Sequence, residues 1–502
     1  VSVQPLKVLL EMRPALDGFS GIPQETRLVY RGLCGLDGVS VEGLLQSGNL
    51  VIAAGIPIKA GQADPEFPSA LRIDRLSQVV ASLQQHQQGG RLGRVGRLAT
   101  FCRHALRWAA HGAFGLTVKL TAFEPKYFQD FVWRGMFAKS LPSSDLDTVT
   151  SRPFRLLAQP WSLAHAVGIA TARLGWPIYP RIDTDDIDVF VSETPFPARV
   201  SRRTQLVVRY HDSIPLLLPH TIKNMNHHRA AHQGALRRNA RDGAWFACVS
   251  EATRRDLVAL LPEVESRCVT VPNMVSHHFW PDASPADRVP EVIWARKNRS
   301  APFAGGAPLP SLAPGAPGLQ YLLMVGTIEP RKNHATLLEA WELLRAAGHS
   351  QLQLVMVGSF GWQFEAIARR FSPWLERGGL HLLEAVPSDD LRLLYRHAAV
   401  TVCPSVAEGF DFPGVEAMRS GGVVAASDIP VHRDVFDDAC DYFSAYSSQD
   451  VAAVIARLLA EPERGNSLRR KGLAVSERYL PARVMPQWQA FLARVGSPGA
   501  RP

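Results

Sequence analysis

The chain has 502 residues, of which 46% are hydrophobic, 20% charged and 8% aromatic. That length suits about two to four globular domains and excludes a single small module or a disordered chain, and the lack of any run of about 18 uncharged apolar residues excludes a membrane-spanning bundle. The net charge of +9 lies wholly in the first half: residues 1–280 carry 32 Lys and Arg against 23 Asp and Glu, whereas residues 319–502 carry 19 against 20. Without aromatics interleaved among the basic residues, and without zinc-ligand spacing, nucleic acid is not the expected partner of that basic half. Six scattered cysteines with no C-x-x-C point to a reducing, cytoplasmic compartment. The opening residues Val1–Pro5 run into a strand with no signal-peptide pattern.

Apolar runs at Val8–Glu11 and Val39–Leu45 predict the first strands. Between them the loop Asp17–Glu25 holds Gly18, Ser20 and Gly21, and Pro23 opens a helical run over Gln24–Leu33. Its glycines permit close backbone approach, so it is a candidate floor for an acceptor or a diphosphate, although no G-x-G-x-x-G or G-x-x-x-x-G-K pattern is present. From Arg91 to Trp108, the residues Leu92, Val95, Leu98, Phe101, Cys102, Ala105 and Leu106 recur at three- and four-residue intervals. Arg91, Arg94, Arg97, Arg103 and Arg107 flank them with no acid in the stretch. This basic amphipathic helix either packs on the first sheet or lies on an anionic membrane. The D-x-D spacing in Asp183–Asp188 precedes the strand Val189–Glu193 instead of following it, and reads as a solvated turn.

Further strands are expected at Leu206–His211, Trp245–Val249 and Val269–Pro272, before a Pro/Gly/Ala-rich stretch, Pro281–Gly318, that reads as a linker. Beyond it, apolar runs at Tyr321–Gly326, Leu352–Gly358, Leu380–Val386 and Val400–Cys403 alternate with helical stretches at His334–Ala347 and Ser388–His397. Such alternation means buried parallel sheets covered by helices. The expected fold class is therefore α/β: two doubly wound, Rossmann-like domains, 1–280 and 319–480, with ligands in the cleft at the carboxyl ends of their strands. A helix within 481–502, spanning Val484–Val495, is expected to return to the first domain through Trp488.

Four segments of the second half carry a resemblance: VGTIEPRKN from Val325 to Asn333, VTVCPS from Val400 to Ser405, EGFDFPGVEAM from Glu408 to Met418, and ASDIP from Ala426 to Pro430. In this order they resemble the retaining GT-B glycosyltransferases of family four, most closely bacterial mannosyl- and rhamnosyltransferases of surface-polysaccharide (O-antigen or capsule) assembly. RYHDSIP from Arg209 to Pro215 and VSEATRRDL from Val249 to Leu257 extend the resemblance into the first half, leaving residues from roughly 60 to 185 unmatched. It implies a GT-B fold and a nucleotide-sugar donor, with a GDP-linked mannose-type sugar favoured and UDP or dTDP sugars open. It also implies a glycan or lipid-linked glycan acceptor, no metal, no other cofactor, and a place in the cytoplasm or on the inner face of its membrane. A sugar-nucleotide epimerase or hydrolase on the same fold, and an idle assembly scaffold, are the alternatives.

Glu408 and Glu416, eight residues apart, place one carboxylate on a loop after a strand and the other in the first turn of a helix. An ionised Glu accepts hydrogen bonds at two oxygens, which suits the vicinal hydroxyls of a ribose; the resemblance gives that role to Glu416 and puts Glu408 beside the donor sugar and the transition state. Between them the backbone N–H groups of Gly409, Phe410, Asp411 and Phe412 are candidates to face the donor. Asp411 stands where the family usually has Gly, so its side chain is expected to meet sugar hydroxyls or turn away. Arg331 and Lys332 follow a strand by a short loop, and a fork beside a point charge suits a leaving diphosphate. By resemblance, His211 contacts the donor sugar near the bond that breaks, and Gly326 and Val386 complete the donor-binding set. The adjacent pairs His227–His228 and His277–His278 are not spaced to hold a metal.

Overall fold

The computed structural model describes residues 4–18, 21–84, 91–281, 283–297 and 319–497, with backbone alone at 91–95 and 97. Its central parallel strands are apolar runs of the sequence, and they are buried on both faces because helices cover each sheet. In the first sheet seven parallel strands stand in the order Cys268–Thr270, Trp245–Cys248, Gln205–Tyr210, Val189–Ser192, Leu6–Glu11, Val39–Leu45 and Phe154–Leu156. Thr121–Phe123, Ile56–Lys59 and Gln62–Ala63 extend its edge antiparallel. The second sheet is parallel throughout, in the order Leu380–Leu383, Gln353–Val357, Tyr321–Val325, Val400–Cys403, Val424–Ser427 and Asp441–Phe443.

Both orders reverse direction beside their own first strand, and that reversal opens a crevice at the carboxyl end of each sheet. In the first sheet it lies between Glu11 and Ser192, and in the second between Val325 and Cys403. The motifs of the sequence therefore converge on two facing crevices.

The helix Pro481–Gly496 leaves the second sheet and packs on the first. Val484, Trp488, Phe491, Leu492 and Val495 join Val8, Val29, Val189 and Trp245 in one core. Trp488 is fully buried, and the Arg209 guanidinium lies 5.2 Å from its ring centre.

Two expectations change. The stretch 281–318 is not all irregular: Arg288–Arg296 is helical, because Val289, Val292 and Ile293 recur at helical spacing and pack into the second unit's core. Residues 298–318, the most Gly- and Pro-rich part, lie outside the described residues. The basic stretch does form a helix, Arg91–Ala113, but not with one apolar face. Trp108 is buried and Phe101 and Ala105 pack beside it on the first unit's core, whereas Leu98, Cys102 and Leu106 face outward. The side chains of Arg91, Leu92, Arg94, Val95 and Arg97 lie outside the described residues.

Candidate active site

On the second unit's side, the loop after Tyr321–Val325 turns at Gly326, whose φ of 152° suits glycine, and the Lys332 side chain lies over it. Lys332 Nζ and Arg331 Nη1 each stand 2.6 Å from a different oxygen of Glu408, and Arg331 also donates to Glu329 at 2.8 Å. Burial opposes ionisation of Glu408, but the two cations outweigh it and hold the carboxyl well below the usual range. Arg331 is raised in turn: burial disfavours its charge, and Glu408 and Glu329 more than restore it. This is a compact charge cluster at the second crevice.

Glu416 sits in the second turn of Phe412–Arg419, one turn further along than expected, and is buried. Tyr395 Oη donates to one oxygen at 3.1 Å, and Gln24 Nε2, from the first unit's helix Ile22–Cys34, donates to the other at 3.2 Å. Burial raises its pKa to about 7, against the pull of both donors. Asp411 has φ 68°, a left-handed conformation that Asp tolerates better than most residues and Gly adopts freely. Its carboxylate turns away from the cleft and meets His432 Nε2 at 2.9 Å. His432 Nδ1 in turn lies 2.8 Å from the Ser427 carbonyl oxygen and 3.1 Å from its Oγ, which fixes the ring. Phe410 is buried edge-on against Tyr479 and Phe412, so only its backbone can meet a ligand.

On the first unit's side, His211 follows Gln205–Tyr210, and its Nε2 lies 3.3 Å from Glu193. Burial lowers His211 to about 4, helped by Arg209, and raises Glu193 to about 8 although Arg209 pulls the other way. Near neutral pH the pair is an uncharged imidazole facing a protonated carboxyl. Glu11 accepts from Arg13, from Ser192 Oγ and from the Glu193 N–H. Arg209 is enclosed and paired with Glu25 at 2.7 Å, fixing the strand that presents His211.

The two sides touch. A Cβ on Gly409 would overlap the His211 carbonyl oxygen, so only glycine allows this approach. Thr253 Oγ1 donates to the Gly409 carbonyl at 3.2 Å, the Glu251 N–H donates to Asp434 at 2.6 Å, and Trp362 Nε1 donates to the Thr221 carbonyl at 2.8 Å. Burial raises Asp212, next to His211, against the lowering pull of Arg331 across the cleft.

Of the residues singled out from sequence, His211, Arg331, Lys332, Glu408, Gly409, Glu416 and Gly326 come together around the facing crevices. Val386 lies half-buried past the edge strand Leu380–Leu383, two strands and so roughly 10 Å from the second crevice. Gly18 (φ 27°) and Gly21 (φ 71°) flank the loop before Ile22–Cys34, and the buried Arg27 donates to the carbonyls of Ala15, Asp17 and Gly18. Ser20 lies outside the described residues. The D-x-D stretch both follows a strand, the two-residue Arg181–Ile182, and precedes Val189–Ser192: Asp183 pairs with Lys119, Asp186 with Arg155, Asp188 accepts the Lys7 N–H, and Asp185 is exposed.

Glu11, Glu193, Gln24 and Tyr395 were not singled out. For the two acids a signal existed, since each ends a buried strand at its carboxyl end; for Gln24 and Tyr395, nothing local marks their partner.

Residues 315–474, which carry this second crevice, match the family described as glycosyl transferases group 1. They form a group 1 glycosyl transferase domain. Proteins to which the chain is similar include the O-antigen chain mannosyltransferase B of Escherichia coli, 30% identical over 196 residues, covering 39% of this chain and 51% of that one. The MMP alpha-(1->4)-mannosyltransferase of Mycolicibacterium hassiacum is 30% identical over 126 residues, covering 24% and 31%. The chain thus spans about half the length, or less, of these relatives. Over the whole chain the fold is like that of a sucrose-phosphate synthase from Thermosynechococcus elongatus, at TM-score 0.53, 15% identity and 98% and 99% coverage. A glycosyltransferase from Rickettsia africae gives TM-score 0.54 at 9% identity, covering 99% and 100%. The transferase domain and the sheet before it therefore make a GT-B fold.

Proposed function

We propose that the protein is a retaining glycosyltransferase that moves a mannose- or rhamnose-type sugar from a nucleotide sugar to a saccharide or lipid-linked acceptor of a surface polysaccharide. The observation that carries this reading is the pairing of Arg331 and Lys332 with Glu408 at the second crevice, opposite His211. A diphosphate entering there exchanges Glu408 for phosphate oxygens on the two cations, which then stabilise the charge that develops as it leaves. Glu416 accepts from the ribose hydroxyls, and Val386, further along the sheet, is left for the base. The first unit takes the acceptor side and residues 319–480 the donor side, with Gly18 and Gly21 at the acceptor or diphosphate loop. A neutral His211 serves as a hydrogen-bonding partner of the donor sugar and not as a cation.

In the transfer itself the anomeric carbon–phosphate oxygen bond breaks while the bond to the acceptor oxygen forms on the same face. The acceptor's proton passes to the departing phosphate oxygen, so no protein base is required. Arg331 and Lys332 do the work a divalent ion does elsewhere, and the acids of Asp183–Asp188 are not needed. A GDP-sugar is the favoured donor.

The test is acceptor-dependent release of nucleoside diphosphate. A transferase requires the acceptor, a hydrolase or epimerase does not, and a scaffold releases nothing. A nucleotide at 100 times its dissociation constant adds roughly 2.7 kcal/mol to stability, enough to rank GDP against UDP by thermal shift. Release that is indifferent to every saccharide and lipid-linked acceptor would overturn the reading.

A further inference from the structure

The first unit carries a surface that the cleft does not use. Helices Arg91–Ala113 and Trp161–Ala172 pack side by side and lead into a parallel pair of short strands, Thr117–Val118 with Arg181–Ile182. Leu98, Cys102 and Leu106, spaced by four, form an outward stripe on the first helix, about a quarter-turn round from the Phe101, Ala105 and Trp108 stripe that meets the core. Where both helices end, Phe114 is 78% exposed, Trp176 79% and Leu174 84%, with Leu116 beside them. Six of the fifteen large apolar side chains exposed among the described residues fall in these two segments, which makes a patch and not scattered singles. From Leu98 to Phe114 the rise of a helix spans roughly 24 Å.

Charge says what covers the patch. The chain has no acid from Arg75 to Phe123 or from Thr148 to Ile182, while Arg103, Arg107, Lys119 and Arg173 are exposed there. Of the acids at its border, Asp183 is held by Lys119 at 2.7 Å and Asp242 by Arg199 and Arg238, while Asp185 is exposed beside Lys119. A second copy would bring two basic faces together, whereas an anionic lipid surface offers phosphates to the arginines and an interfacial layer to Trp176 and Phe114. We propose that this strip docks the protein on an anionic membrane, with the helix Arg91–Ala113 lying along the headgroups. The proposal rests on the reading of a lipid-linked acceptor, but its residues stand apart from the cleft, so the two can fail separately.

Vesicles of phosphatidylcholine with phosphatidylglycerol, compared with phosphatidylcholine alone, are the probe, with binding read by co-sedimentation. Binding is expected to the anionic vesicles only, and to weaken as salt rises, since the attraction is screened over about 8 Å at physiological ionic strength. Arg103→Gln with Arg107→Gln should weaken it roughly thirtyfold, about fivefold for each. Phe114→Ser with Trp176→Ser should weaken it roughly tenfold or more. All four replacements leave nucleotide binding and transfer to a water-soluble acceptor unchanged. No binding, equal binding to both vesicles, binding unaltered in both pairs of variants, or a lipid-free dimer that Trp176→Ser dissolves would each overturn the proposal. Salt-sensitive vesicle binding with no sugar transfer from any donor would leave the strip standing and sink the transferase reading instead.

Discussion

Gly409→Ala tests whether the closed cleft is the working one. The Gly409 backbone does not need glycine for its own conformation, since its φ lies outside the left-handed region, so alanine adds only a methyl group. That methyl would overlap the His211 carbonyl oxygen, well inside the 3.0 Å that real Cβ atoms keep. Both clashing partners are backbone, and the loop cannot give way by turning a side chain. Separating the two units by about 1 Å or more is the remaining escape, and it breaks the 3.2 Å bonds from Gln24 to Glu416 and from Thr253 to the Gly409 carbonyl. A misplacement of about 1 Å at reacting atoms costs roughly a hundredfold in rate, or about 2.7 kcal/mol of activation free energy. Arg331, Lys332 and Glu416 belong to one unit and keep their geometry, so nucleotide affinity should hold within about twofold while kcat falls. Steady-state transfer beside calorimetric titration with the nucleoside diphosphate separates the two quantities. Gly465→Ala, where the added methyl meets only Val423 at ordinary contact distance, is the control. Near-normal kcat in Gly409→Ala would refute the argument that catalysis passes through this closure.

Arg331→Ala and Lys332→Ala should each lower turnover roughly a hundredfold, measured as diphosphate release at saturating donor. Arg331→Ala should also destabilise the fold by about 3 kcal/mol in urea, because Glu408 is left enclosed with one partner lost. Glu416→Ala should chiefly weaken nucleotide binding, whereas Glu408→Ala should chiefly lower the rate, and interchanged effects would exchange the two roles. Because Glu416 in the ligand-free protein is raised to about 7, its contribution to stability is fully present below the unfolded value near 4.5 and is lost as pH rises through about 7. Nucleotide affinity should rise over the same window, since ribose hydroxyls need the ionised acceptor; a flat profile in the wild type, or the same slope in Glu416→Gln, counts against the assignment. Transfer should continue in a chelator, and activity lost there and restored by manganese would return Asp183–Asp188 to consideration.

Most of the parallel strands were legible as short apolar runs, such as Val189–Ser192 and Tyr321–Val325, whereas Phe154–Leu156, Val424–Ser427 and Asp441–Phe443 did not stand out as strands. Alternation pointed to parallel pairing, and the order of the strands came only with the structure. The antiparallel edge was not legible, since Gln62–Ala63 and Thr121–Phe123 are too short to show a period. Periodicity also could not divide the residues of Arg91–Trp108 between two stripes, because residues three and four apart look alike until something packs on one of them. At the site, the charges on Arg331, Lys332, Glu408 and Glu416 could be read from their motifs, but their partners could not. Gln24 reaches Glu416 across 392 positions of sequence, and the chemistry of a lone Gln announces nothing. Asp411 is the reverse case: the departure from Gly was visible, and its reason, a left-handed backbone answered by His432, was not.

The helix Pro481–Gly496 sets an order of assembly during synthesis. Residues of the first sheet leave the ribosome long before Trp488 does, and at 5–20 residues per second the gap from about residue 280 to residue 496 lasts on the order of ten to forty seconds. For that time the apolar floor formed by Val29, Val189 and Trp245, and the guanidinium of Arg209, wait without the side chains that close them. A nascent first unit is thus a natural client for a chaperone, and a stop codon just before Pro481 would leave the whole donor side folded while the strand that presents His211 lacks its support.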